Sequence, residues 1–311
     1  MLTTERRFLY ASAFFIIIHT YLIYLYAFFV LSFLNAFKDI STKQSLKSID
    51  AGVMTGIASL AIIIVTIPFL IREGIPSHID YSSFIWIVLG GGLFYYFGKY
   101  FNFQSLSLGD ISLISPMKWL VTIATVFSSM LLLGEFVNVW WFLGIMLTIG
   151  GTYFLAVEKG HTTFIEPIRA LFINPGSRMF LIAVCFYGFT VTFDRMGIHA
   201  SSIWFWSFLM NMIVFMMSIR DLYKHRKTLG KNIKTAYKAL FLVIILHVWI
   251  YFSQMYIVSE VIAPYTSAFK SASALFTVML GGWFFREKYL LQRFLWACII
   301  LFGIILISFF G

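Results

Sequence analysis

The chain has 311 residues, of which 60% are hydrophobic and only 12% are charged, and its formal net charge is +10. Ordinary soluble domains carry about 25% charged residues, so this composition excludes a soluble globular protein and requires that much of the surface face lipid. The basic residues are scattered over the connections between apolar stretches, which indicates membrane orientation and contact with the lipid bilayer rather than nucleic-acid binding.

Ten apolar stretches approach the roughly 20 residues that a helix needs to cross the hydrocarbon core. In chain order they are 10–34, 53–71, 83–105, 111–133, 138–157, 179–194, 201–219, 239–258, 263–285 and 290–310. The sequence therefore predicts an all-α polytopic membrane protein with ten transmembrane helices. Both cysteines, Cys185 and Cys298, fall inside these stretches, so we expect apolar packing there and neither a disulfide nor a zinc site.

The two halves of the chain repeat one another. The matched pairs share an offset of 152 residues: Lys118 with Lys270, Glu135 with Glu287, and Thr125-Val126 with Thr277-Val278. Because five spans per half is an odd number, the second half enters the membrane from the opposite side, as in an inverted-topology repeat with a site between its units. The expected divisions are 1–22 as an N-terminal extension leading into helix 1, 23–158 as the first five-helix repeat, 159–178 as a linker and 179–311 as the second repeat.

Several segments carry a resemblance to a known family. Residues 262–270 (IAPYTSAFK) and 281–288 (GGWFFREK) resemble the last repeat of EamA-type members of the drug/metabolite transporter superfamily. Residues 114–116 (ISP), with 134–135 (GE), resemble the same motifs in the first half, and 193–198 (FDRMGI) is similar to the segment after the family's sixth span. The resemblance covers most of both halves. It implies ten helices, two five-helix repeats, a central substrate cavity and alternating access, and it names no substrate.

Three lysines fall within apolar stretches rather than in loops: Lys99, Lys118 and Lys270. Charged side chains in hydrocarbon cost at least about 2.5 kcal/mol and usually face the bundle interior or a watery cavity. Lys118 and Lys270 lie at similar depths in matching helices, so one interpretation is a pair of cationic anchors for a carboxylate or phosphate. In the other interpretation each lysine extends to the interface or pairs with an acid such as Asp110 or Glu260.

Other intramembrane polar residues complete the candidate site. Asn102 and Gln254 are expected to assist the lysines in substrate binding, with Lys99 as a third basic residue. His247 is a candidate for a coupling proton, because imidazole titrates near neutrality, although a hydrogen-bonded structural histidine is the alternative. Asp39 and Asp194 occupy related positions in the two halves.

The basic neighbours of these two acids, Lys38 and Arg195, favour neutralised structural pairs near helix ends. Neither Asp39 nor Asp194 is therefore predicted to bind substrate.

Two arguments about membrane orientation disagree. Loops after the odd-numbered spans carry 16 Lys and Arg residues, against 4 on the side of both termini, so the positive-inside rule places the termini outside. The family resemblance implies that the termini are inside. Residues 8–19 could lengthen helix 1, lie along the interface or form a short extra span, and an extra span would move the N-terminus to the basic side. The orientation stays open at this point.

These features predict a secondary transporter of the cell membrane that moves a small polar metabolite, which could be an anion, by alternating access. A lipid-phosphate flippase on the same fold is the alternative. An intramembrane enzyme is less favoured, because clustered His, Asp or Glu with catalytic spacing is not apparent in the sequence. We expect no enzymatic activity, no cofactor and no metal, and the sequence is compatible with a homodimer.

Overall fold

The computed structural model describes residues 26–77, 79–134, 139–156 and 172–260, together with single positions between 273 and 306. Regular structure within these residues is helical throughout. A π-helical turn, Tyr26–Leu31, leads into the first α-helix. The α-helices in chain order are α1 (Ser32–Ser45), α2 (Ala51–Glu73), α3 (Tyr81–Leu108), α4 (Ile111–Met117), α5 (Trp119–Leu133), α6 (Val139–Ala156), α7 (Pro175–Ala200), α8 (Ile203–Lys224) and α9 (Arg226–Glu260).

Six helices of the described part are long and apolar enough to cross a membrane. They are α2, α3, the pair α4–α5 taken together, α7, α8 and α9, and each overlaps a stretch predicted from hydropathy. The all-helical polytopic class is therefore confirmed. The last two predicted spans, 263–285 and 290–310, lie outside the described residues apart from single positions, so the number ten stays a prediction.

Short polar side chains define where several helices begin. Asp50 accepts a hydrogen bond from the backbone N–H of Gly52 at 2.9 Å, and Asn174 accepts one from Ser177 at 3.1 Å. Each bond satisfies one of the N–H groups that a helix start leaves without an intrahelical partner. Asp80 plays this part for α3, and hydrogen bonds from Ser83 and Ser82 lower the pKa of its carboxyl group.

Two helices extend well beyond the apolar stretches. Hydropathy predicts that the first span ends at residue 34, yet α1 runs from Ser32 to Ser45. The span predicted at 239–258 belongs to a helix of 35 residues that begins at Arg226. A helix continues wherever its backbone hydrogen bonds do, whereas hydropathy detects only the part that suits lipid. The hydropathy pattern therefore did not predict the polar turns of α1 and α9.

The principal helix contacts join the first half of the chain to the second: α3 packs on α7, α2 on α8, α5 on α7, and α1 on α9. Helices α5 and α7 approach one another closely. A Cβ atom built on Gly188 would lie 2.4 Å from the Cβ atom of Ala124, so only glycine fits there. Ser128 Oγ donates to the backbone oxygen of Gly188 at 2.6 Å across the same contact.

Two buried apolar clusters result from this packing. One includes Phe103 and Phe180, and the other includes Val191 and Met255. All four of these side chains also line a cavity, so the cavity lies where the two clusters meet.

Candidate functional site

The cavity has an empty volume of at most about 1070 Å³, a value that includes its opening to solvent. This upper limit is comparable with pockets that hold one small molecule. Its described polar lining residues are Asn35, Lys38, Asp39, Thr42, Tyr95, Lys99, Asn102, Lys118, Tyr187, Thr190, Asp194, His247, Tyr251, Gln254 and Ser273. All the described members of the predicted site are among them. The cavity thus brings together side chains from both halves of the chain.

Each helix contributes its lining residues from one face. In α3 the lining residues Tyr95, Lys99 and Asn102 follow the spacing i, i+4, i+7, which places them in one row along the helix. In α9 the residues His247 and Gln254 are also seven apart. The same spacing recurs in α1 and α7, and this periodicity of polar residues is the signal that could have identified the residues missing from the predicted site.

Lys118 stands at a break between two helices. It separates α4 from α5, and its backbone N–H donates to the oxygen of Ser115, three residues earlier, at 3.2 Å. Pro116 has no N–H to donate, which contributes to the departure from regular α-helical bonding. The backbone of Lys118 keeps helical dihedral angles, so the break is a local irregularity in the helical hydrogen bonding. Lys118 lines the cavity at this point.

Lys118 forms an ion pair with Asp39 of α1. The salt bridge of this carboxylate is thus formed with Lys118 and not with its neighbour Lys38, as expected from the sequence, and Lys118 pairs with an acid other than the Asp110 or Glu260 given as examples. Lys38 Nζ instead donates to Asn35 Oδ1 at 2.9 Å, one turn back along α1. The prediction was wrong because it placed Asp39 near a helix end. Asp39 lies within α1 and is only 3% exposed.

Lys99 is among the most deeply buried side chains, with 2% exposure. Its Nζ donates to Ser59 Oγ of α2 at 3.0 Å and lies 5.3 Å from the centre of the Tyr95 ring. A hydroxyl acceptor and an aromatic face both stabilise an ammonium group away from water. These contacts hold Lys99 at the cavity wall and not at the membrane interface.

Asp194 of α7 is a second acid that the sequence argument kept out of the site. Its Oδ1 accepts a hydrogen bond from Trp206 Nε1 of α8 at 2.9 Å. The carboxylate is 6% exposed and lines the cavity. Like Asp39, it lies inside a helix and not near its end.

The other predicted residues are also placed. Asn102 shares a side-chain hydrogen bond with Tyr187 of α7. Gln254 is buried at 7% exposure, and the centre of the His247 ring lies 6.3 Å from that of Tyr251. Lys270 lies outside the described residues.

The described lining residues carry three ammonium groups, on Lys38, Lys99 and Lys118, and two carboxylates, on Asp39 and Asp194. This set has one more potential positive charge than negative charges. Within the described ranges, His, Cys, Asp and Glu do not form a group of three or more that could hold a metal ion. The described part of the cavity lining is therefore polar and carries both acidic and basic groups.

Comparisons with known proteins agree with this architecture. The sequence model of the EamA-like transporter family matches the chain twice, over residues 22–157 and 174–309. A solved structure titled "Crystal structure of protein" aligns with a TM-score of 0.61 at 14% identity, covering 90% of this chain and 95% of that chain. At that identity the likeness shows the fold alone. A search of curated protein sequences found no match.

Proposed function

Because the chain belongs to the EamA-like transporter family, we propose that it is a secondary transporter that moves a small polar anion through the cavity. The observation that supports an anion is the convergence of three lysines from different elements on one cavity. Lys38 comes from α1, Lys99 from α3, and Lys118 from the break between α4 and α5.

The physical argument is the free energy of holding ammonium groups inside a membrane protein. Burial of a charge costs several kcal/mol unless other groups compensate it. Asp39 and Asp194 supply two negative charges against three positive ones, so an anionic solute would improve the balance. The amides of Asn102 and Gln254, also in the lining, offer hydrogen bonds to the same solute. A carboxylate or a phosphate group fits this set of donors.

Alternating access between two inverted repeats belongs to the same proposal, and the helix contacts support it. Exchanging the halves replaces α1 by α7, α2 by α8 and α3 by α9. The contact of α1 with α9 then becomes the contact of α7 with α3, and the contact of α2 with α8 maps onto itself. The contact of α5 with α7 has a counterpart in the Phe33–Phe276 ring contact, with centres 5.8 Å apart. Two units that pack symmetrically around a cavity can rock about it.

The test is uptake into proteoliposomes. Labelled succinate, glutamate, glucose 6-phosphate, glucose and choline would be compared, and we expect an anion to enter and choline to be excluded. Lys99→Gln and Lys118→Gln should each reduce uptake of that anion at least tenfold, equivalent to about 1.4 kcal/mol. Lys270→Gln tests the predicted partner lysine, and Lys234→Gln, at an exposed position of α9, is the matched control.

Two results would contradict the proposal. Undiminished uptake in all three lysine variants would remove the lysines from the site. Movement of a fluorescent short-chain phospholipid, with none of the soluble anions carried, would instead favour the flippase.

Insertion in the plasma membrane, which the proposal assumes, is checked by fractionation of the cells that produce the protein.

His247 stays the candidate for proton coupling because its ring lines the same cavity. A histidine changes charge between about pH 5 and 8, so coupling through it makes uptake depend on pH in that range. We expect His247→Gln to flatten the pH profile while leaving binding of the anion at pH 8 within about threefold. An unchanged profile would assign His247 to the structural role.

A further inference from the structure

The ion pair of Lys118 occupies the place where the proposed substrate would bind. Asp39 and Lys118 both line the cavity, with exposed side-chain fractions of 5% and 15%. Lys38 is close enough to interact electrostatically with both of them. The Asp39 carboxylate therefore already interacts with two of the ammonium groups, Lys38 and Lys118, that a substrate anion would approach.

The energetic consequence concerns the transporter without substrate. A secondary transporter must change its access in both the loaded and the empty state if it is to move solute in net amounts. An ammonium group without a compensating charge is unfavourable in a low-dielectric interior. Paired with Asp39, the Lys118 side chain makes no net contribution to the charge of the empty cavity.

We propose that Asp39 is the resident counter-anion of Lys118, which the acidic group of the substrate displaces on binding. This inference rests on the proposed function. Asp39 and the substrate compete for one ammonium group, so Asp39 weakens binding of the anion and at the same time permits the empty transporter to return. The carboxylate thus determines whether the protein performs net transport or only exchange.

Asp39→Asn separates these effects, because asparagine keeps the size of the side chain and removes its charge. Without the internal competitor, Lys118 should bind external anions more tightly. The empty transporter then lacks the negative charge of Asp39 beside Lys118 and should return slowly, while in the loaded form the substrate anion supplies that charge. We therefore expect exchange of anions to persist and net uptake to fall.

The binding test uses inorganic phosphate and acetate as probes of anion binding at Lys118. The melting temperature of the purified full-length protein would be titrated against each salt. Asp39→Asn should show a half-saturating concentration at least tenfold lower than the unmodified protein. The double variant Asp39→Asn/Lys118→Gln should lose this tenfold decrease in the half-saturating concentration. The matched control is Asp80→Asn, a helix-capping position outside the cavity.

A response of Asp39→Asn equal to that of the unmodified protein would overturn the proposal, as would a response that survives the loss of Lys118. If Asp39→Asn proves too unstable to purify in either salt, the anion response of Asp39→Glu tests the role of the charge instead. The longer side chain keeps the charge, so that variant should behave like the unmodified protein in both probes. A tenfold tighter anion response in Asp39→Glu would contradict the role of the charge.

The transport test compares net uptake with exchange in proteoliposomes, using whichever of succinate, glutamate or glucose 6-phosphate enters. Asp39→Asn should retain exchange within about threefold and lose at least tenfold in net uptake. Equal losses in both would overturn the proposal. If none of these anions is carried, the proposed function fails on that result, while the phosphate and acetate titrations still decide the role of Asp39.

Discussion

The hydrogen bond from Trp206 to Asp194 shows how a single residue can hold a charge in the interior. Trp206 is 0% exposed, and its Nε1 lies 2.9 Å from Asp194 Oδ1. An indole has one donor and no acceptor, so it matches a carboxylate and little else. Trp206 also packs against Gly197 within α7, which fixes the position of the ring. The side chain therefore combines an apolar packing role with an electrostatic one.

We expect Trp206→Phe to lower the free energy of unfolding by about 1–3 kcal/mol, because a buried carboxylate loses a donor while the packing volume is largely kept. The measurement is reversible unfolding in mixed detergent micelles at increasing SDS. Trp86→Phe is the matched control, since Trp86 is 75% exposed, and its effect should stay within about 0.5 kcal/mol. Equal effects of the two substitutions would show that the bond to Asp194 contributes nothing measurable.

At the scale of elements, the contact between α5 and α7 depends on the absence of a side chain. The Cβ of Ala124 would lie 2.4 Å, and its backbone carbon 2.8 Å, from a Cβ atom on Gly188. These neighbours include backbone, so they cannot move aside by rotating a side chain. Lipid is as apolar as the helix surfaces, and helices in membranes therefore associate through close packing and hydrogen bonds.

Gly188→Ala should destabilise the protein by about 1–3 kcal/mol through overpacking of this contact. Gly150→Ala in α6 is the control, because no atom of the described residues lies within 4 Å of a Cβ atom there. Alanine is the better helix former by up to about 1 kcal/mol, so the control should be neutral or slightly stabilising. The same SDS unfolding measurement compares them, and destabilisation by both substitutions would attribute the effect to helix flexibility and not to the contact.

The long helix α9 has two parts with different surroundings. Its 35 residues span roughly 52 Å at 1.5 Å per residue, whereas the hydrocarbon core is about 30 Å thick. The N-terminal part packs Leu229, Ile233 and Leu240 against the protein. Its lysines 227, 231, 234 and 238 are all exposed and follow a helical spacing along one face. Exposed Tyr237 is a residue type that favours the lipid headgroup level.

Anionic headgroups should therefore stabilise this part of α9. Replacing the four lysines by glutamine should remove most of the rise in melting temperature that phosphatidylglycerol produces over phosphatidylcholine in nanodiscs. Replacing them by arginine keeps the charge and should preserve it. Each lysine near an anionic surface contributes about 1 kcal/mol. An equal response of the glutamine and arginine variants would show that anionic lipid acts elsewhere.

At the scale of the whole molecule, the two halves are interlocked and not merely adjacent. The principal helix pairs each take one helix from either half, and the cavity is lined from both. The connection between α8 and α9 is flanked by seven Lys and Arg residues between positions 220 and 238, at the end of α8 and in the first part of α9. This concentration of charge is the feature that bears most directly on orientation.

The positive-inside rule predicts that the α8–α9 connection is cytoplasmic. A single cysteine at Thr228, an exposed position, would be introduced after replacing Cys185 and Cys298 by serine. A membrane-impermeant maleimide should label Thr228→Cys only after the cells are permeabilised. Labelling of intact cells would reverse the orientation and favour the one implied by family resemblance.

Composition and hydropathy by themselves determined that this is a polytopic helical membrane protein, because the solvent around a chain restricts its average surface. The equal spacings of Lys118 to Glu135 and of Lys270 to Glu287 predicted the repeat. The position of polar residues within apolar stretches predicted Lys99, Asn102, Gln254 and His247, which the structure places in one cavity. Their part in substrate binding stays a prediction.

Only the tertiary structure decided which charges meet. Asp39 and Lys118 are 79 residues apart in the sequence, whereas Lys38 is adjacent to Asp39 and for that reason looked like its partner. The positions of α1 and of the α4–α5 break determine the pairing, since an ion pair depends on distance in space and hydropathy is a local average along the chain. For the same reason the sequence did not predict Trp206 as the donor to Asp194. These two side chains come into contact only when α7 and α8 pack together.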